Sequence, residues 1–165
     1  MSTFLDSLES SAIGTWVTQS PAGFYILLAF HAVGMAMVVG VMMVVSLRLL
    51  GVARNISASA LPKLVNFSWV GFFINAVSGI CLFIGEANKM FNNWSFRWKI
   101  FFVAVGMIST YIMSRTILKP AAAGDISKLN SQSAKFQAIF LMLVWVGVIC
   151  AGRWIAYIGQ IEGTG

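Results

Sequence analysis

The sequence predicts an all-α protein of the polytopic membrane class, a four-helix bundle preceded by a short N-terminal interfacial helix. Three observations lead there. The chain of 165 residues is 59% hydrophobic and only 10% charged, where a soluble domain carries about 25% charge. Its mean hydropathy is +0.86. A soluble fold of this length would bury about two-thirds of its unfolded surface and still need a polar exterior, which this composition cannot make. Third, the apolar residues fall into four long runs with the basic residues gathered between them. Lipid is the solvent that fits.

The net charge of +6 does not indicate a nucleic-acid partner. The basic residues form no single stripe, as a nucleic-acid footprint requires. They occupy loops, as in membrane proteins. Cys81 and Cys150 lie inside apolar runs and form neither a CxxC pair nor a zinc spacing. They read as small buried hydrophobes.

Taken in order, residues Thr3 to Thr18 mix Phe4, Leu5, Leu8, Ile13 and Trp16 with Asp6, Glu9 and serines. That pattern predicts an amphipathic helix lying at the membrane surface. No basic n-region precedes the first apolar run, which is also too long for a signal h-region. A spanning helix needs roughly 20 mostly apolar residues. Four stretches qualify: about Ala22 to Leu50, Leu64 to Ile84, Trp94 to Leu118 and Ala134 to Ile158. Ser20-Pro21 offers an N-cap and a first-turn proline for the first span. Gly51 offers its C-cap. Asn93 or Ser95 can cap the third span, and Lys119-Pro120 should stop it, because proline cannot continue a helix. In the loop Ala121 to Gln132, the spacing of Asp125, Ile126, Lys128 and Leu129 predicts a helical start. No repeat or low-complexity tract is visible, so residues 1–165 are expected to form a single membrane domain.

Loop charges orient the bundle. Arg48, Arg54 and Lys63 flank the first loop, and Arg115, Lys119, Lys128 and Lys135 the third. The tail before the first span and the tail after Tyr157 hold no Lys or Arg, and the second loop has only Lys89 and Arg97 beside Glu86. The positive-inside rule then places the first and third loops in the cytoplasm, and both termini and the second loop in the periplasm or exterior. Trp16, Trp94, Trp98 and Trp154 fall at the outer interface as an aromatic belt.

This orientation collects the ionisable residues of the spans in one leaflet. His31 lies about nine residues into the first span, roughly 13 Å below its outer end at ~1.5 Å per residue. Lys99 begins the third span, Arg153 lies in the outer half of the fourth, and Glu86 follows the second. Such residues are functional hypotheses by default. The alternatives are ordinary: Lys99 and Arg153 as snorkelling cations, Glu86 as a loop charge, His31 as a hydrogen-bonded core residue. As a ligand, His31 could take copper(I) with Met35 one turn along the same face, although methionines such as Met35, Met37, Met42 and Met43 also fill apolar cores. It could also be an axial ligand of b-type haem, with Lys99 and Arg153 paired to the propionates. With a single histidine, a bis-histidine haem within one chain is excluded. Five-coordinate haem, a His–Lys or His–Met pair, or a haem shared between subunits stays open. No Ser/His/Asp arrangement or phosphate-binding glycine loop is present.

The stretch Phe30-His31-Ala32-Val33-Gly34-Met35, then Gly40, then Leu47-Arg48-Leu49-Leu50-Gly51 resembles a family of uncharacterised bacterial four-helix inner-membrane proteins. Trp98-Lys99 and Ala151-Gly152-Arg153 ahead of Ile155-Ala156-Tyr157 are similar to the same family, over about Ser10 to Tyr157. A more distant similarity runs to four-helix haem-b protoporphyrinogen oxidases and to copper-resistance membrane proteins. The former resemblance implies His31 as a haem ligand and Lys99 as its catalytic or ligating partner. The chain lacks that family's other histidines, so protoporphyrinogen oxidation is not the expected activity. Two functions follow as expectations: a redox protein with b-type haem or copper at His31, or a cofactor-free accessory subunit. Either is expected to be a homo-oligomer or to join a membrane complex. A small transporter is a third, without the broken-helix pair transporters use.

Overall fold

The computed structural model describes residues 2–161, with side chains described from 4 to 155. The last residues of the C-terminal tail, and the side chain of Tyr157, lie outside that range.

Two short helices, α1 (Ser2–Glu9) and α2 (Ala12–Gln19), stand where one interfacial helix was expected. The break falls at Ser10-Ser11. Ser11 is extended and its hydroxyl accepts from Gly14 N, so it caps a new helix instead of continuing the old one. The first span is α3 (Gly23–Leu49). Its cap is Ala22, two residues past the expected Ser20. Ser20 ends α2, Pro21 lies in the turn, and Ser20 Oγ accepts from Gly23 N at 3.2 Å. Its far end follows the sequence: Gly51 has φ +85°, Gly51 N donates to Arg48 O, and Val52 N donates to Leu47 O. This paired closure is a Schellman motif, which needs a residue tolerant of left-handed backbone.

The second span, α4 (Leu61–Gly85), is entered through a 3₁₀ turn at Ala58–Ala60. A short α5 (Ala87–Asn92) leads to the third span, α6 (Trp94–Met113). Asn93 caps α6: its Oδ1 accepts from Ser95 N at 2.9 Å and Phe96 N at 3.4 Å. The expected stop at Lys119-Pro120 does not occur. The helix widens into a π turn at Ser114–Leu118 and continues as α7 (Lys119–Ala122) through Pro120. Proline clashes with the carbonyl four residues back, here Thr116, and the wider π turn accommodates the ring. Residues Ile126–Asn130 form a 3₁₀ turn that buries Leu129, in place of the helical start expected there. The fourth span is α8 (Gln132–Ile161).

Four helices among the described residues are thus long and apolar enough to cross a bilayer, and no strand is present among them. α3 packs most extensively on α4, α6 on α8, and α3 on α8. The bundle has two unlike ends. One, the basic face, carries Arg48, Arg54, Lys63, Arg115, Lys119, Lys128 and Lys135. The other, the termini face, carries α1, α2 and α5. The fully buried core residues Leu49, Leu61, Met113, Leu118 and Leu129 cluster toward the basic face. Toward the termini face the first turns of α3 are open: Phe24, Tyr25, Ile26, Leu28 and Phe30 are exposed.

The termini face has its own anchor. Asn88 at the start of α5 donates its backbone N–H to Glu9 Oε1 at 2.8 Å, and its amide to Asp6 Oδ1 at 2.9 Å and Glu9 Oε2 at 3.1 Å. Beneath it, Gly85 lies so close to α2 that a Cβ there would meet Val17 Cγ1 at 2.7 Å. Two acidic side chains near a helix start also suit the local dipole.

Candidate functional site

The site begins with two glycines. α3 and α4 cross in backbone contact at Gly34 and Gly71. A Cβ on Gly34 would lie 2.7 Å from Asn75 N and Gly71 O, and one on Gly71 would lie 2.5 Å from Met37 Cβ. Small residues permit such approach in lipid. One turn toward the termini face, the crossing sets His31 against Asn75, Ser78 and Gly79 of α4. Those three follow Gly71 at helical spacing on one face.

His31 is held at both nitrogens. Its Nδ1 lies 3.0 Å from Asn75 O and 3.3 Å from Ser78 Oγ. Its Nε2 lies 3.1 Å from Lys99 Nζ on α6. Hydrogen positions follow from the partners. A backbone carbonyl only accepts and an amine with hydrogens to offer donates, so Nδ1 bears the ring proton and Nε2 accepts from Lys99. Ser78 donates its own proton to Ile74 O at 2.7 Å, leaving its oxygen as a second acceptor for Nδ1–H. Asn75 returns a bond, its Nδ2 donating to His31 O at 2.7 Å. Of two further glycines nearby, only Gly79 is tight. A Cβ on Gly79 would sit 3.0 Å from His31 Cε1, and one on Gly152 of α8 would sit 3.8 Å from Lys99 Cε and Nζ. The cluster therefore joins α3, α4, α6 and, through Gly152, α8.

The sequence-derived candidates are sorted by this geometry. His31 and Lys99 meet. Arg153 does not join them: its neighbour Gly152 faces Lys99, and Arg153 itself is exposed. One residue along a helix is a rotation of about 100°. Met35 is half-buried and lines a small central crevice together with Asn75. Glu86 pairs with Lys89 at 3.5 Å in an exposed bridge. Met42 is buried and takes a contact from Thr110 Oγ at 3.3 Å, a packing role. Among the described residues no three His, Cys, Asp or Glu side chains converge.

Asn75 and Ser78 were missed. Their signal was available: two polar side chains inside an apolar span, on the face that carries Gly71.

The cluster is chemically specific. A lysine inside a span finds an imidazole as its hydrogen-bond acceptor, with no carboxylate in an ion pair with it among the described residues. The pair can bind an anionic group, exchange a proton between Nζ and Nε2, or present Nε2 to a metal if Lys99 withdraws.

No curated protein and no solved structure matches the chain. A family does, described as "Family of unknown function (DUF6644)", over residues 4–158. That match takes in α1 through nearly all of α8, with His31, Asn75, Ser78 and Lys99 inside it, and the chain belongs to this family.

Proposed function

We propose that the protein is a multi-pass protein of a bacterial inner membrane, with both termini periplasmic, and that His31 holds a b-type haem in a redox role. One observation carries the reading: His31 Nδ1–H is fixed on Asn75 O at 3.0 Å, so Nε2 is the atom presented to a ligand. Histidines that bind metals commonly donate their other ring N–H to a carbonyl in this way. The haem, when bound, supplies one-electron chemistry.

The chain's own residues have definite tasks in this reading. Asn75 and Ser78 orient the imidazole and fix its tautomer. Lys99, now on Nε2, would give up that contact to a metal held there and would then be free to pair with an anionic group such as a propionate. The central crevice, about 10 Å³, is far smaller than the ~300 Å³ or more of ordinary small-molecule pockets. The crevice therefore would not enclose the group, and a haem on Nε2 would have to enter between His31 of α3 and Lys99 of α6, which now meet at 3.1 Å. Copper on His31 and Met35 is the lesser alternative, since these give at most two ligands.

The test is the absorption spectrum of the purified chain, expressed with ample haem, beside native mass. A Soret band lost in His31→Ala and retained in Arg153→Ala supports the assignment. A band that persists in His31→Ala removes the ligand role. No haem and no metal, by absorption and elemental analysis, leaves the second reading, a cofactor-free accessory subunit. The observation that favours it is that both ring nitrogens of His31 already have partners within the chain.

A further inference from the structure

The centre of the bundle holds a crevice lined by Met35 and Val38 of α3, Phe72 and Asn75 of α4, Val103 of α6, and Trp145 and Val148 of α8. All four spans contribute to it. Two of the lining residues, Trp145 and Asn75, carry hydrogen-bonding side-chain groups. Trp145 is 3% exposed, and its Nε1–H has no hydrogen-bond acceptor among the described residues. The indole cannot turn away easily: its Cζ2 and Cε2 edge lies against Gly106, where a Cβ would come within 3.0 and 3.2 Å. Asn75 commits its Nδ2 to His31 O. That bond fixes the amide's orientation and leaves Oδ1 as an acceptor for the crevice.

We propose that this crevice is a binding site for a single water molecule, which accepts from Trp145 Nε1 and donates to Asn75 Oδ1. Its volume of about 10 Å³ meets the requirement of ~10–15 Å³ for one water and no more. The chemistry meets the other requirement, because a residue with an unpartnered donor and a residue with a free amide oxygen are both in the lining. A buried indole N–H otherwise loses the hydrogen bond it makes in water, with nothing in exchange. The water extends the polar cluster inward. Asn75 touches His31 through both its backbone oxygen and its side chain, so a continuous set of hydrogen bonds runs from Lys99 through His31 and Asn75 to Trp145 on α8. This assignment does not depend on what His31 binds.

The test is ultraviolet resonance Raman on the full-length protein in nanodiscs. Subtracting Trp145→Phe from wild type isolates the Trp145 indole among the six tryptophans. Its N–H-sensitive band is expected at the hydrogen-bonded position, and to shift to the unbonded position in Asn75→Leu. An unbonded position in wild type overturns the site. So does a bonded position that Asn75→Leu leaves unmoved. A high-resolution density map of the wild-type protein keeps the proposal testable if either variant misfolds. A peak within about 3 Å of both Nε1 and Oδ1 is expected, and an empty crevice overturns it.

Discussion

At the scale of the residue, His31 is unusually accessible to measurement because it is the single histidine of the chain. Nitrogen-15 labelling of histidine therefore reports one imidazole. In protein purified without cofactor, the expected spectrum is that of the Nδ1–H tautomer, with Nε2 as acceptor. Lys99→Met should shift the Nε2 resonance and leave Nδ1–H in place, held by Asn75 O. The opposite tautomer would show that the ring is oriented by something other than Asn75. Gly79→Ala makes a second test. The added Cβ would lie 3.0 Å from Cε1 and 3.3 Å from Nδ1, and a ring tied at both nitrogens has little room to give. Overpacking of this kind costs about 1–3 kcal/mol. The expected result is a lower unfolding midpoint together with a weakened Nδ1–H signal. The meeting of His31 with Lys99 was only half legible beforehand. Residue counting gives depth in the membrane, and on depth alone Arg153 qualifies equally. Which way each residue turns about its helix axis decides contact, and for His31 that is set by the Gly34–Gly71 crossing, not by position along the chain.

At the scale of the element, the helix ends divide into those that local chemistry determines and those that it does not. Gly51 and Asn93 were readable, because a left-handed turn and an Oδ1 cap each follow from one residue type. Pro120 was not. A proline argues for a stop, yet the π turn at Ser114–Leu118 carries the helix past it to Ala122. That turn depends on packing: Ser114, Ile117 and Leu118 are all buried, so the register change is held in place by the surrounding core. The α3–α4 contact yields a further prediction. Gly71→Leu must separate two backbones now in direct contact, which should destabilise the protein by about 1–3 kcal/mol or more. Thermal unfolding in detergent reads this, and Gly40→Leu is the control, since a Cβ at Gly40 meets nothing within 4 Å. If the two variants melt alike, backbone approach at Gly71 is not what holds the pair.

At the scale of the whole molecule, the four-span architecture was readable from composition and run length, because lipid leaves helices few alternatives. Orientation is a matter of loop charge and invites its own test. In a background with Cys81 and Cys150 replaced by alanine, Asn55→Cys on the basic face and Asn92→Cys on the termini face are both exposed. A membrane-impermeant maleimide applied to spheroplasts should label Asn92→Cys and spare Asn55→Cys until the membrane is opened. The reverse pattern overturns the periplasmic placement of the termini.

The uneven packing along the bundle also has a mechanical meaning. Leu49, Leu61, Leu118 and Leu129 clamp the helices near the basic face, while the first turns of α3 stand apart at the other. A body joined firmly at one end and loosely at the other deforms like a pair of tongs, with the largest excursions at the tips. Spin-label distances between Tyr25→Cys and Trp94→Cys should accordingly be broader than those between Asn55→Cys and Lys128→Cys. On such a lever the Lys99–His31 bond acts as a catch between the first and third arms, placed near the tips, where a bond of ordinary strength has the greatest leverage over how far the arms part.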